Sequence, residues 1–326
     1  MSFEFKCWTD GVRESYRWEA ATSLYATKRA IKKDFEFAQS LLGFLDLNMD
    51  DYFDIFNRMG EAVQGLYEKP DGDVTPMRIG LDRLAGKHVY FQFLRLQWFD
   101  RLDACLAGSY GGDVRVLIPH KELTHIPMEV IAAQRQVRNL FDMALAGDGR
   151  EKSLQKCMAG FYGKPERFDG TPFEFKTLTL RYECVDSAAM ADVLYPSEMM
   201  DIVGYLLREA TRREIGFRRC KCCGKYFPLT VHGNTEFCDR PYQDTGKTCR
   251  EVGSIAKWRE KVASCPAMLL YNKYYKTRFS RIRAGRIRRE DFQAWAEKAR
   301  ELRELVIRGE LGLEEFEGWL KSGRRI

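Results

Sequence analysis

Arg218-Arg-Cys-Lys-Cys-Cys-Gly-Lys-Tyr-Phe227, continued by Thr235-Glu-Phe-Cys-Asp-Arg240 and Lys247-Thr-Cys-Arg250, is the stretch from which the chain is best read. Cys220 and Cys223 have the C-x2-C spacing that lets one turn present two thiolates to a single ion. Gly224 follows directly and relieves the positive φ that such a turn imposes. Cys238 and Cys249 supply a second pair. Four thiolates make a closed tetrahedral site with no vacancy for water, so the expected cofactor is one structural Zn2+ held by Cys220, Cys223, Cys238 and Cys249. His232, in a Val-His-Gly-Asn turn, is an alternative to one cysteine, and Cys222 is the spare thiol. A module this small cannot bury enough surface to fold without such a staple.

The chain has 326 residues, 45% of them hydrophobic and 31% charged, enough for two or three globular domains. No apolar run approaches the roughly 18 residues of a membrane-spanning helix. The polar start, Met1-Ser-Phe-Glu-Phe-Lys-Cys7, lacks a secretory hydrophobic core, and the expected compartment is the cytoplasm. Of ten cysteines, five crowd between positions 220 and 249. In a reducing compartment that clustering favours a metal over disulfides. Cys7, Cys105, Cys157, Cys184 and Cys265 are scattered and read as small buried hydrophobes.

The net charge of +6 hides an asymmetry. Residues 1–199 carry 25 Lys and Arg against 30 Asp and Glu, whereas residues 208–289 carry 21 against 7, a local excess of +14. Such a block points to an anionic partner, nucleic acid being the commonest.

The periodicity of the first two hundred residues reads mostly as helix: Ser15 to about Leu45, Asp50 to Tyr67, Met77 to Leu106, Glu122 to Ala146, Glu151 to Tyr162, and Ser197 to Glu214 with Ser197 as N-cap. Val114–Ile118 could be a strand, and Phe173–Cys184 alternates as a strand should. Three helices are expected after the cysteines, over Val252–Ala263, Ala267–Ala284 and Arg289–Arg308, with a short amphipathic turn at Leu313–Leu320. The fold expected is therefore mainly α. A mostly helical domain (1–215) precedes a four-cysteine zinc module (216–252) and basic carboxy-terminal helices (253–326).

On the helix after Cys249, Arg250, Ser254, Lys257 and Lys261 share an outward face, while Val252, Ile255 and Val262 turn inward. Next come Arg278, Arg281, Arg283, Arg286, Arg288 and Arg289, six arginines in twelve residues, whose planar forks suit phosphate oxygens. These nine basic residues are the expected nucleic-acid contacts. Tyr271, Tyr275, Phe279 and Ile282 form a stripe better suited to a core than to base stacking.

Residues 218–257 resemble the zinc finger of the CGNR family of bacterial proteins. The shared features are Arg219-Cys220, a cysteine three residues on, Phe227, Cys238, Cys249 and a basic helix. The resemblance implies a helical domain joined to a zinc module and a role as a DNA-binding regulator. Two features depart from the family. Ten residues separate the last two ligands here instead of a few, and Cys249-Arg250-Glu251-Val252 stands where the family has Cys-Gly-Asn-Arg.

Enzyme motifs fit poorly. His120 and His125 are five apart, not the four of a metalloprotease helix. Arg219 precedes Cys220 where a deaminase needs proline. Asp46–Asp50 lacks the glycine of a calcium loop, and Gly108–Asp113 lacks the lysine of a phosphate loop. The expectation is a nucleic-acid-binding protein, DNA first, acting as a bacterial regulator or mobile-element accessory and not as an enzyme. The alternative is an adaptor that docks an acidic protein partner on the zinc module.

Overall fold

A computed structural model describes residues 3–21, 28–69, 72–108, 113–146, 153–164, 171–186, 189–229 and 235–322. His232 lies outside them. The chain is mainly α-helical with antiparallel sheet. It divides into two compact units: Met1–Cys220 with Gly224–Glu236, and Lys221–Cys223 with Phe237–Ile326. The division thus falls inside the cysteine segment.

The first unit opens with three strands, β1 (Phe5–Thr9), β2 (Arg13–Ala21) and β3 (Lys28–Glu36), and a short helix α1 (Gln39–Leu45). The helix expected over Ser15–Leu45 is therefore corrected: its first two thirds are largely strand. The reason is a period of two beneath the charges. Glu14, Tyr16 and Trp18 turn to the core while Arg13 and Arg17 face out. Helices α2 (Phe53–Glu68), α3 (Thr75–Ala85), α4 (Val89–Leu106), α5 (Val114–Leu117), α6 (His120–Met143) and α7 (Leu154–Gly163) follow.

Met77–Leu106 is broken in two, because α3 stops at Gly86 and α4 starts afresh with His88 as N-cap, its ring accepting from the Tyr90 amide. Val114–Leu117 is a turn of helix and not a strand: the Asp113 side chain caps it by accepting from the Arg115 amide. Strands β4 (Leu180–Val185) and β5 (Ala189–Leu194) complete a sheet of order β3-β2-β1-β5-β4, so only the second half of the expected Phe173–Cys184 strand forms. Helix α8 (Met199–Arg212) is capped by Glu198 and Asp201 in a reciprocal box. Ser197 precedes the cap and donates its hydroxyl to Asp201.

One core holds this unit together. Phe44, Phe56, Tyr90, Phe91, Phe93, Trp98, Phe141, Leu206 and Phe217 are all buried in it. Inside it lies a polar cluster. Glu14 accepts from the Ser40 amide at 2.6 Å, Tyr16 and Tyr90 both reach the Ser40 hydroxyl, and His88 Nε2 meets the Ser40 carbonyl at 3.0 Å. Burial pushes the Glu14 carboxyl up to about 7 and the His88 imidazole down to about 4.

The hairpin β6 (Gly216–Arg219) and β7 (Tyr226–Leu229) belongs to the same unit. Phe217 stacks on Phe141 of α6 with centroids 4.0 Å apart, and its amide donates to the Leu145 carbonyl at 2.7 Å. Tyr226 donates its hydroxyl to Asp142 at 2.8 Å.

The second unit carries α9 (Cys249–Ala263), α10 (Pro266–Arg283), α11 (Arg289–Ile307) and α12 (Leu313–Ser322), within a few residues of expectation. Its core gathers Tyr271, Phe292, Trp295, Ala299, Leu302, Phe316 and Leu320. The tyrosine stripe of α10 faces this core as its spacing implies, with Phe279 at its half-exposed end.

Candidate metal centre and basic surface

Cys220 closes β6, and a tight turn follows. Its carbonyl accepts from the Gly224 amide at 2.9 Å, and its amide donates to the Lys225 carbonyl at 2.9 Å. Gly224 takes φ +73°, the left-handed conformation that the motif needs. The turn points Cys220 and Cys223 the same way.

The ten residues between Cys238 and Cys249 fold back on themselves. The Cys249 amide donates to Arg240 and the Arg250 amide to Cys238, each at 2.9 Å, while Tyr242 donates to Lys247 at 2.8 Å. Gly246 turns this loop at φ +66°. The long spacing thus becomes a closed loop that returns Cys249 beside Cys238. Helix α9 then starts at Cys249, with Thr248 and Glu251 forming a reciprocal capping box. Thr248-x-x-Glu251 was the sequence signal for this start, three residues ahead of the expected Val252.

The Sγ atoms of Cys220, Cys223, Cys238 and Cys249 lie within 4.8 Å of one another, and Cys220, Cys238 and Cys249 are buried. Cys223 and Cys238 are 3.7 Å apart, sulfur to sulfur. A cluster this close can hold a metal ion. Burial first, then the neighbouring Cys223 and Cys238 thiols, push the Cys249 thiol well up, because a second or third thiolate needs a cation to balance it. Cys249 also sits at a helix N-terminus, where the backbone dipoles favour a thiolate. Cys222 is outside the group. None of the ten cysteines is in a disulfide. Cys184 is exposed on β4, which corrects its assignment to the interior; Cys157 and Cys265 are half-buried.

The nine basic candidates divide by surroundings. Lys257 and Lys261 are exposed on α9, and so is Arg250, which pairs with Asp239 at 2.7 Å. Ile255 is not turned inward: it is 41% exposed, and every residue from Ser254 to Lys261 is exposed. The helix is buried only at Cys249, Gly253 and Val262, so its middle packs too little to bury the apolar stripe.

Arg278 lies over the Trp295 ring at 4.6 Å and is half-buried; burial, then Arg281, lowers its pKa. Arg283 lies over Phe279 at 5.6 Å, and Arg288 pairs with Asp291 at 2.9 Å. Arg281, Arg286 and Arg289 are exposed. The arginine run is thus partly engaged with its own helices.

The first unit also has a cleft of about 510 Å³, lined among others by Trp8 and Thr9 of β1, Ala191 and Asp192 of β5, and Glu209 of α8. Its charges meet one another: Glu209 takes Arg212 and Arg213, and Lys32 takes Asp34 and Asp186. No described helix is long and apolar enough to cross a membrane.

Residues 179–321 match a family of unknown function (DUF6076), a stretch that runs from β4 to α12 and contains all four clustered cysteines. No curated protein and no solved structure matches the chain.

Proposed function

We propose that the four cysteines hold one structural Zn2+ and that the basic surface beside it binds nucleic acid, DNA in the first instance. The 3.7 Å separation of Cys223 and Cys238 supports zinc, since tetrahedral Zn–S bonds of about 2.3 Å set their sulfurs about 3.8 Å apart. Held so, the ion would neutralise the crowded thiolates and tie the start of α9 to the turn after β6. It supplies rigidity and no open coordination position.

The observation that carries the nucleic-acid reading is α9 itself. It leaves the cysteine cluster with Lys257 and Lys261 exposed on one face, within the basic block of residues 208–289. Phosphate contacts of this kind position a protein on its target. The resemblance to the CGNR zinc finger points the same way. A second reading, an adaptor for an acidic protein, draws on Arg250–Asp239 and Arg288–Asp291, where these arginines already pair with carboxylates.

Fluorescence anisotropy with duplex DNA, single-stranded DNA and RNA, titrated against salt, tests the reading. Binding at a Kd of about 10⁻⁴ to 10⁻⁶ M that weakens steeply with salt is expected. Replacing Lys257 and Lys261 together by Ala should weaken it and flatten the salt dependence, with the fold intact. Absence of binding at low salt to all three would move the assignment to the adaptor.

A further inference from the structure

Trp258 is out of place. Trp8, Trp18, Trp98 and Trp295 are at most 7% exposed, and Trp319 is packed against Trp295, with parallel rings 6.2 Å apart. Trp258 is 50% exposed in the middle of α9. A large aromatic on a helix normally marks the buried face. Here the stripe begins at buried Val262 and runs out into solvent through Trp258 and Ile255. Consecutive helix residues are about 100° apart, so Lys257 and Arg259 flank the indole on either side, and Lys261 lies one turn on. Lys257, Arg259 and Lys261 are exposed, as the indole is.

A flat, exposed ring between cations matches a nucleobase between two phosphates. We infer that Trp258 stacks on an unpaired base, and that α9 thereby prefers single-stranded or locally opened nucleic acid to intact duplex. The inference rests on the nucleic-acid reading above. Stacking needs the π-face of a base, which a paired duplex keeps inside its own stack, whereas phosphate contact needs only the backbone. The two contributions are therefore separable: the lysines supply salt-dependent attachment, and the indole supplies a contact that salt scarcely touches.

The test uses the full chain with three probes: an oligo(dT) strand, an abasic strand of equal length, and a dT·dA duplex. As the most exposed tryptophan, Trp258 should dominate the emission open to an aqueous quencher. Its emission should fall on saturation with oligo(dT) and stay unchanged with the abasic strand. Trp258→Ala should weaken oligo(dT) binding roughly 5- to 150-fold, leave abasic binding and the salt slope unaltered, and Trp258→Phe should recover part of the loss. Equal losses on the oligo(dT) and abasic strands, or unshifted emission with oligo(dT) bound, would overturn the stacking while the phosphate reading stood. Tighter binding to the duplex, undiminished in Trp258→Ala, would do the same. Failure of the unaltered protein to bind any probe would overturn both.

Discussion

Gly253 is the residue on which the geometry of the cysteine cluster can be tested without touching a cysteine. It lies in the second turn of α9, where the Phe237 side chain packs against the helix. A methyl group at this position would stand 2.7 Å from Phe237 Cγ and closer still to two further ring carbons. Phe237 has to move, and Cys238 is the next residue. Two effects of Gly253→Ala compete. Ala is favoured over Gly in a helix by about 1 kcal/mol. Forcing a side chain from a packed position costs about 1–3 kcal/mol. The net expected is a destabilisation of about 0–2 kcal/mol, but metal affinity should suffer more clearly. The Cys238 carbonyl receives the Arg250 amide at 2.9 Å, and its sulfur stands 3.7 Å from that of Cys223, so a displaced Phe237 disturbs both. Zinc retention against a competing chelator should fall by about tenfold, which corresponds to about 1.4 kcal/mol. Adding Phe237→Leu should restore much of it, because the smaller side chain vacates the space; the double-mutant cycle measures the coupling. The assays are chelator competition and thermal unfolding of the zinc-loaded protein. A Gly253→Ala protein that melts higher and holds zinc as tightly as before would refute the packing argument.

Cys223→Ser should lose the metal and loosen the second unit, whereas Cys222→Ser should keep both; metal content per chain by elemental analysis distinguishes them, and full occupancy in Cys223→Ser would remove Cys223 from the ligand set. The buried cluster around Ser40 predicts opposed pH effects. Glu14, raised by burial to about 7, contributes stability that is full below its unfolded value near 4.5 and is lost as pH rises through about 7. His88, lowered by burial to about 4, contributes stability that is full above its unfolded value near 6.5 and is lost as pH falls through about 4. The unaltered protein should therefore show little net slope from these two groups between about pH 4.5 and 6.5. Glu14→Gln should expose the His88 slope, a rise of about 3 kcal/mol from about pH 4 to 6.5 in urea unfolding. His88→Asn should expose the reverse, and identical slopes in all three proteins would show that neither group titrates as its burial implies.

Local features of the sequence specified the cysteine cluster and the carboxy-terminal helices. C-x2-C-G is a complete turn instruction in five residues, and the four clustered cysteines meet as their spacing suggested. The apolar spacing of Phe292, Trp295, Ala299 and Leu302 placed a helix because that period needs only neighbours on one chain segment. Residues 13–36 went the other way. Their dense charges imitate a solvated helix, and the period of two in Glu14, Tyr16 and Trp18 gains meaning only when β1 and β3 lie alongside. Strand pairing is a joint outcome of distant segments, and Cys7 meeting Leu194 has no trace in either local pattern. The same holds for charge. The sequence counted the arginines, but only tertiary packing put Arg278 over Trp295 and left Lys257, Lys261 and Trp258 facing solvent, because burial is a property of what lies opposite a side chain and not of the side chain itself.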